Sequence, residues 1–386
     1  MMFDNKTIEH LKKLTTTPYY YYNTDLLNET LRQLKSEIDK RGYLLHYALK
    51  ANANTKILKT IRSYGFGADC VSGNEVVKAI TCGFNPQQLV FAGVGKSDDE
   101  INIGINNNIF CFNCESVQEM EVINQLAANK GVTAKIAIRI NPNVDAHTHH
   151  YITTGLEENK FGLNIWELEG VLDRLKQLTN LKLISVHFHI GSQITDLSVF
   201  RSLCIRVNEL QSWFEDRNVK FEHLNVGGGL GVNYHEPDKA AIPDFNAFFN
   251  EFETFLELRP HQKLHFELGR ALVAQCGSLI TRVLYVKNGV NTNFAIVDAG
   301  MTDLIRPALY QAYHKIENLT SVLPLQRYDV VGPICESSDC FAKAIMLPET
   351  QRGDLIAIRT AGAYGEIMAS QYNLRKLPRS YYSDEL

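Results

Sequence analysis

The chain has 386 residues, 45% hydrophobic and 21% charged, the composition of an ordinary globular protein, and its length sets an expectation of two domains. A formal net charge of −4 argues against a nucleic-acid footprint or a polybasic membrane anchor and leaves small-molecule work as the expected class. No apolar run reaches bilayer-spanning length, and the opening MMFDNKTIEHLKKL lacks the apolar core of a secretory signal, so the expected compartment is the cytoplasm.

The tyrosine-rich Pro18–Tyr22 has strand propensity, and the amphipathic stretch Asp25–Lys40 follows it. From there, short apolar runs alternate with helix-like segments. Candidate strands are Leu44–Leu49, Gly67–Val71, Gln88–Gly93, Ile109–Phe112, Lys135–Ile140, Leu183–His189, Phe221–Val226 and Lys263–Glu267. The segments between them include Thr55–Tyr64, Asn74–Thr81, Ser97–Asn106, Ser116–Asn129, Trp166–Leu178, Leu197–Phe214 and Phe245–Leu258. Eight parallel strands in about 250 residues is the arithmetic of an α/β (β/α)8 TIM barrel. An open doubly wound sheet usually stops near six. Past Arg270 the runs Leu279–Lys287, Asn293–Val297, Arg327–Val331 and Asp354–Arg359 predict an all-β domain, with which Pro18–Tyr22 is expected to pair. The expected division is a barrel over 24–270 and a β domain made of 1–23 plus 271–386.

Working residues of such a barrel stand at the carboxyl ends of its strands. Here the first strand ends in Lys50, the second carries Asp69, the fifth Arg139 and the sixth His187 and His189. The seventh runs into Gly227-Gly228-Gly229, and the eighth ends in Glu267 ahead of Gly269 and Arg270. Successive glycines let backbone N–H groups approach an anion, and the loops after strands seven and eight are the usual phosphate site of the fold. Lys50 is either a surface cation or an amine desolvated enough to bond a carbonyl. Taken with a phosphate site, the second reading points to pyridoxal phosphate, which also needs a partner for its ring nitrogen. Glu267 is the candidate. A carboxylate there favours a strong electron sink, as loss of carbon dioxide requires; an arginine would suit a racemase. His189 is a candidate to stack on the ring, and His187 reads equally as a core histidine bonded within its strand.

The eight cysteines are irregularly spaced, and the one C-x-x-C pair, Cys111 and Cys114, has neither two further zinc ligands nor a helix starting at its first cysteine. The histidine-rich AHTHHY at Ala146–Tyr151 falls in a long connection. No metal is expected.

Several motifs then carry a resemblance: YALKAN at Tyr47–Asn52, GADCVSGNE at Gly67–Glu75, HFHIGSQ at His187–Gln193, GGGLG at Gly227–Gly231, ELGR at Glu267–Arg270, DLIRPALYQAYH at Asp303–His314, GPICESSD at Gly332–Asp339 and GAYGEIMASQYNLR at Gly362–Arg375. Over nearly its whole length the chain resembles the diaminopimelate decarboxylases, in the alanine-racemase-like fold group of pyridoxal-phosphate enzymes. The resemblance implies decarboxylation of meso-2,6-diaminopimelate to L-lysine, the last step of lysine biosynthesis.

It further implies that Lys50 bonds the cofactor, that His189 stacks on it and that Glu267 meets its ring nitrogen. Ser192, Gly228, Gly229, Gly269 and Arg270 would lie near the phosphate, and Asp69 and Tyr364 would complete the cofactor site. Arg270, Arg306, Tyr310, Glu336 and Tyr364 would read the distal end of the substrate, since guanidinium groups bind carboxylates bidentately and a glutamate pairs with an ammonium. Cys335 would return a proton after decarboxylation. In relatives Cys335 and Glu336 come from the opposite subunit, so a homodimer with shared sites is implied. One departure is ELGR where EPGR is commoner, which adds a backbone donor but moves no functional group.

The nearest rivals act on ornithine, arginine or carboxynorspermidine; Arg306 and Tyr310 count against the first two, whose distal ends carry no carboxylate. A catalytically dead binding protein of this fold is a rival of another class, and the presence of both Lys50 and Cys335 counts against it.

Overall fold

The structure, a computed structural model, describes residues 2–14, 16–144 and 160–386; the Ala146–Tyr151 run lies outside them. The chain divides into two compact units, Leu31–Gly231 with Asp244–Gly269, and Met1–Thr30 with Val232–Pro243 and Arg270–Leu386. The segment Val232–Pro243, kept with the barrel in the sequence-based division, thus groups with the residues around the second sheet.

After β1 (Tyr19–Tyr22), eight strands close into a parallel barrel: β2 (Leu44–Ala48), β3 (Gly67–Cys70), β4 (Leu89–Phe91), β5 (Cys111–Cys114), β6 (Ala134–Arg139), β7 (Leu181–His187), β8 (His223–Asn225) and β9 (Lys263–Leu268). The final pairing, β9 with β2, sets Glu267 opposite His46 and Leu268 opposite Tyr47. This is the (β/α)8 barrel that the periodicity predicts.

Alternation along β9 explains what the barrel holds. Side chains of a strand point to opposite faces in turn. Leu264 and Phe266 face outward, where Phe266 meets Phe248, Phe249 and Phe252 of the helix Phe245–Phe255 at centroid separations of 5.6, 4.9 and 4.9 Å. Each such buried ring contributes about 1.5–3 kcal/mol. His265 and Glu267 therefore face inward, both buried. The helices start where short polar residues cap them: Ser97 and Glu100 form a reciprocal capping box on Asp98–Asn106, and Ser72, Ser116 and Asp244 each accept from a first-turn N–H.

The barrel floor is a chain of histidines. The Gln88 carbonyl can only accept, so His46 Nδ1 donates to it at 3.0 Å and His46 Nε2 accepts from His265 Nδ1 at 2.8 Å. His265 Nε2 in turn accepts from His223 Nδ1 at 2.8 Å. One tautomer per ring satisfies all three bonds, and burial pushes all three pKa values down, which keeps them neutral.

The other unit is built on an eight-stranded sheet. Its strands are β1, β10 (Gly277–Asn288), β11 (Asn293–Val297), β12 (Ile316–Asn318), β13 (Leu325–Val331), β14 (Cys340–Pro348), β15 (Leu355–Ile358) and β16 (Arg379–Tyr382). The order β12-β15-β10-β11-β13-β14 forms the main path; β1 pairs antiparallel with β10 and carries β16 beside it. The helix Asn5–Lys13, capped by Asp4 on Thr7 N at 2.7 Å, packs Leu11 with Tyr19, Tyr21, Ile280 and Leu355. No described helix is long and apolar enough to cross a membrane.

Candidate active site

At the mouth of the barrel the central group is Glu267. Its Oε1 accepts from the side-chain amides of Asn113 at 3.1 Å and Asn225 at 2.7 Å, and its Oε2 accepts from His187 Nε2 at 2.9 Å. All four side chains are buried. Burial alone would raise the carboxyl's pKa, but His187, through its field and its hydrogen bond, outweighs that and, with His189 and Lys50, holds Glu267 well below the usual carboxylate range. Each carboxylate oxygen has two acceptor sites. Oε2, with a single donor among the described residues, keeps one for a further N–H.

Lys50 stands in the short turn Leu49–Ala51 that ends β2, its side chain 39% exposed, with Nζ 3.6 Å from Asp69 Oδ2. The separation qualifies as an ion pair, yet burial, then the Glu267 charge, push the Asp69 carboxyl well above its ordinary range. Burial prevails, because 3.6 Å is longer than a charge-assisted bond and Asp69 Oδ1 has no hydrogen-bond partner among the described residues. Burial thus favours the neutral form of Asp69. His189 is half-buried, and burial together with the Lys50 and Arg139 charges depresses its pKa, which favours the neutral imidazole. Arg139 Nη1 is tied to Glu115 at 2.7 Å, and Glu115 also accepts Gly162 N at 2.8 Å.

The glycines beside this pocket are dictated by close approach. A Cβ on Gly228 would stand 1.8 Å from the Glu267 carbonyl oxygen; one on Gly229, whose φ is +112°, would stand 2.9 Å from the Gly191 carbonyl oxygen. Ser192 follows Gly191, so it borders the same glycine turn. A Cβ on Gly269 would meet the Cβ atoms of Ala51 and Ala48 at 3.0 and 3.1 Å, which lets the end of β9 pack on the turn that carries Lys50. Lys50, Asp69, His189, Ser192, Gly228, Gly229, Glu267 and Gly269 are thus gathered at the carboxyl ends of the strands.

Within the other unit a second cluster forms. Arg270 Nη1 donates to the Tyr234 hydroxyl at 2.6 Å, and its Cζ lies 4.8 Å from the centre of the Tyr364 ring. Arg306 lies over the same two rings, 5.4 Å from Tyr234 and 6.0 Å from Tyr364, and its Nε donates to His314 Nε2 at 3.3 Å. Tyr310 closes the short helix Arg306–Tyr310. Two guanidinium groups that share the Tyr364 ring suit a carboxylate rather than a cation.

Cys335 and Glu336 sit on an exposed turn locked by Asp339, which accepts Ile334 N at 2.7 Å and Met301 N at 2.6 Å. Glu336 Oε1 accepts the Tyr372 hydroxyl at 2.6 Å, and Cys335 N donates to Asn373 Oδ1 at 3.2 Å. Cys335 is the one exposed cysteine; all eight cysteines are free. Among the described residues no group of histidine, cysteine and carboxylate side chains is placed to hold a metal ion.

Sequence reasoning missed Asn113, Asn225, Tyr234 and His314. Asn113 lies inside the Cys111–Cys114 run, whose thiols are buried with their pKa values raised, so the motif supplies an amide and no sulfur chemistry. Asn225 stands two residues before the glycine turn, and Gly227 N donates to its Oδ1 at 3.0 Å. His187 bonds Glu267 and not its own strand.

Residues 24–274 match the family model for the pyridoxal binding domain of pyridoxal-dependent decarboxylases. A diaminopimelate decarboxylase of Bacteroides thetaiotaomicron is 59% identical over 371 residues, covering 96% of each chain. The crystal structure of diaminopimelate decarboxylase from Helicobacter pylori in complex with L-lysine is 40% identical and covers 98% of this chain and 94% of its own, with a TM-score of 0.92. A lysine/ornithine decarboxylase from Vibrio vulnificus, 20% identical over 99% of both chains, shares the fold with a TM-score of 0.84.

Proposed function

The chain belongs to the diaminopimelate decarboxylase family of pyridoxal-dependent decarboxylases, and on that premise we propose that it converts meso-2,6-diaminopimelate to L-lysine and carbon dioxide, closing lysine biosynthesis. The observation that carries the reading is the ionised Glu267, held by Asn113, Asn225 and His187 with one acceptor site left on Oε2.

The residues fit pyridoxal 5'-phosphate. Asp69 Oδ1 is buried without a hydrogen-bond partner among the described residues, the Gly228–Gly229 turn is close-packed bare backbone beside the pocket, and Glu267 can accept one more N–H. When bound, the cofactor supplies an aldehyde for the substrate's amine and a pyridinium that withdraws electrons from the α-carbon as carbon dioxide leaves. Lys50 would hold that aldehyde covalently between turnovers, Glu267 would keep the ring nitrogen protonated, and the flat face of neutral His189 would support the ring. Ser192, Gly228, Gly229, Gly269 and Arg270 would take the phosphate, with Tyr364 and Asp69 completing the cofactor site.

Arg306 and Tyr310, with Arg270 and Tyr364, read the substrate's distal carboxylate, and Glu336 its distal ammonium. A paired guanidinium site disfavours ornithine and arginine, whose distal ends are cationic. Cys335 Sγ gives the proton that replaces carbon dioxide on the α-carbon.

The catalytic unit is a homodimer, with Cys335 and Glu336 serving the partner's site. Its support is the exposure of that turn together with Leu374, 96% exposed and next to the Asn373 that bonds Cys335 N, an apolar group that favours a covering copy. The compartment is the cytoplasm, where eight free thiols stay reduced. Steady-state assays of carbon dioxide release from meso-diaminopimelate, ornithine, arginine and carboxynorspermidine test the reading. It expects diaminopimelate to be preferred by orders of magnitude; equal or better use of any of the others would overturn it.

A further inference from the structure

His314 is buried, 2% exposed, and both its nitrogens have partners with fixed roles. The Arg359 carbonyl can only accept, so His314 Nδ1 donates to it at 2.9 Å; a guanidinium can only donate, so His314 Nε2 must be the bare nitrogen that accepts Arg306 Nε at 3.3 Å. The imidazole is thus a neutral Nδ1–H tautomer, which agrees with burial and the Arg306 charge pushing its pKa down to about 3.

The anchor is rigid. Arg359 N donates to Lys315 O at 2.8 Å, and its guanidinium is clamped by Asp238 at 3.0 Å and Glu317 at 2.7 Å. On the other side, Arg306 is 6% exposed and meets no carboxylate among the described residues; the bond to His314 is the one hydrogen bond of its guanidinium there. A guanidinium can grip a carboxylate side-on, through Nε and one Nη, or end-on, through both Nη atoms. With Nε taken, the side-on grip is closed, and the Tyr234 and Tyr364 rings hold the plane.

We propose that His314 is a positioning residue for substrate recognition: by accepting Arg306 Nε–H it turns the guanidinium so that Nη1 and Nη2 present an end-on fork to the distal carboxylate of the amino-acid substrate. The inference rests on the reading above that Arg306 meets that carboxylate. His314 touches no substrate atom in this scheme, and a glutamine, whose Oε1 is an acceptor at similar reach, should stand in for it.

The test compares the holoenzyme variants His314→Phe, His314→Gln, Arg306→Ala and His314→Phe/Arg306→Ala, each checked for cofactor absorbance and melting. Against meso-diaminopimelate, His314→Phe is expected to raise KM by about tenfold or more with kcat changed by less than about threefold, while His314→Gln recovers most of the loss. Adding His314→Phe to Arg306→Ala should cost nothing further, since the histidine acts through the arginine. A wild-type KM for His314→Phe beside a raised KM for Arg306→Ala would overturn the positioning role and leave the Arg306 reading intact. An unchanged KM for Arg306→Ala would sink that reading itself. Should His314→Phe not fold, His314→Gln decides: a KM near wild type upholds the proposal, and one as high as that of Arg306→Ala overturns it.

Discussion

Asn225 donates its side-chain amide to Glu267 Oε1 at 2.7 Å, and the same asparagine accepts Gly227 N at 3.0 Å on its oxygen. One side chain therefore ties the ionised carboxylate of β9 to the start of the glycine turn. An amide can hold both bonds because it carries donors and an acceptor on one plane. With Asn113 and His187 it surrounds Glu267 with neutral or positive donors, which is what keeps a buried carboxylate charged.

Replacing Asn225 by alanine removes one hydrogen bond to a charge, which costs about 1.5–3 kcal/mol, or about ten- to hundredfold in kcat if the electron sink depends on it. The sign in pH follows. Glu267 has a depressed folded pKa, so its stabilising contribution is present above the unfolded value of about 4.3 and is lost as pH falls through the folded one. The variant should be less stable at neutral pH, with the deficit closing in acid, and its acid limb of kcat should move to higher pH. A wild-type rate and acid limb would show that Asn225 does not support the carboxylate.

Asp69 behaves in the opposite sense. Its pKa is raised in the fold by burial and then by the Glu267 charge, so the native state keeps a proton that the unfolded chain releases above about pH 3.9. Stability is therefore lost as pH rises from that value toward the folded pKa. In cofactor-free protein, Asp69→Asn should melt a few degrees higher at neutral pH, and the gain should vanish below about pH 4. Thermal melts across pH are the check; a variant that melts lower at neutral pH would mean that Asp69 is ionised and paired with Lys50.

Shared sites predict that two inactive variants help each other. In a mixed dimer of Lys50→Ala with Cys335→Ala, one site collects both lesions and the other none. Random reassociation of equal amounts makes half the dimers mixed, so about a quarter of all sites should regain wild-type character. The experiment dissociates the two variants together, lets them reassociate and compares activity with each treated alone. An average of the parents, despite proven exchange of chains, would place both residues in one subunit.

The barrel was legible because its strands are short apolar runs whose spacing leaves room for a helix in each gap, and the mouth residues followed from where those runs end. Interior partners were harder to see. Asn113 and Asn225 carry no motif, and only closing β9 onto β2 and β8 brings them to Glu267. The second sheet was half read. Its β14 turns at Ala344, where φ is +58°, and includes Lys343, so its pattern is neither alternating nor continuously apolar. With three residues, β12 is too short to show a period, and the four of β16, RSYY, carry no alternation. The helix Asn5–Lys13 buries Leu11 as its one fully enclosed side chain, too little apolar surface to stand out in a polar segment.

The claim that Lys50 carries the cofactor for decarboxylation is tested most directly by following wild type and Lys50→Ala side by side with meso-diaminopimelate, measuring carbon dioxide and lysine, and then mapping the borohydride-reduced proteins by peptide mass. The account predicts one carbon dioxide per lysine and cofactor label on Lys50 in the wild type, and neither turnover nor label in the variant. Label on a different lysine, or lysine formed at a wild-type rate by Lys50→Ala, would contradict it.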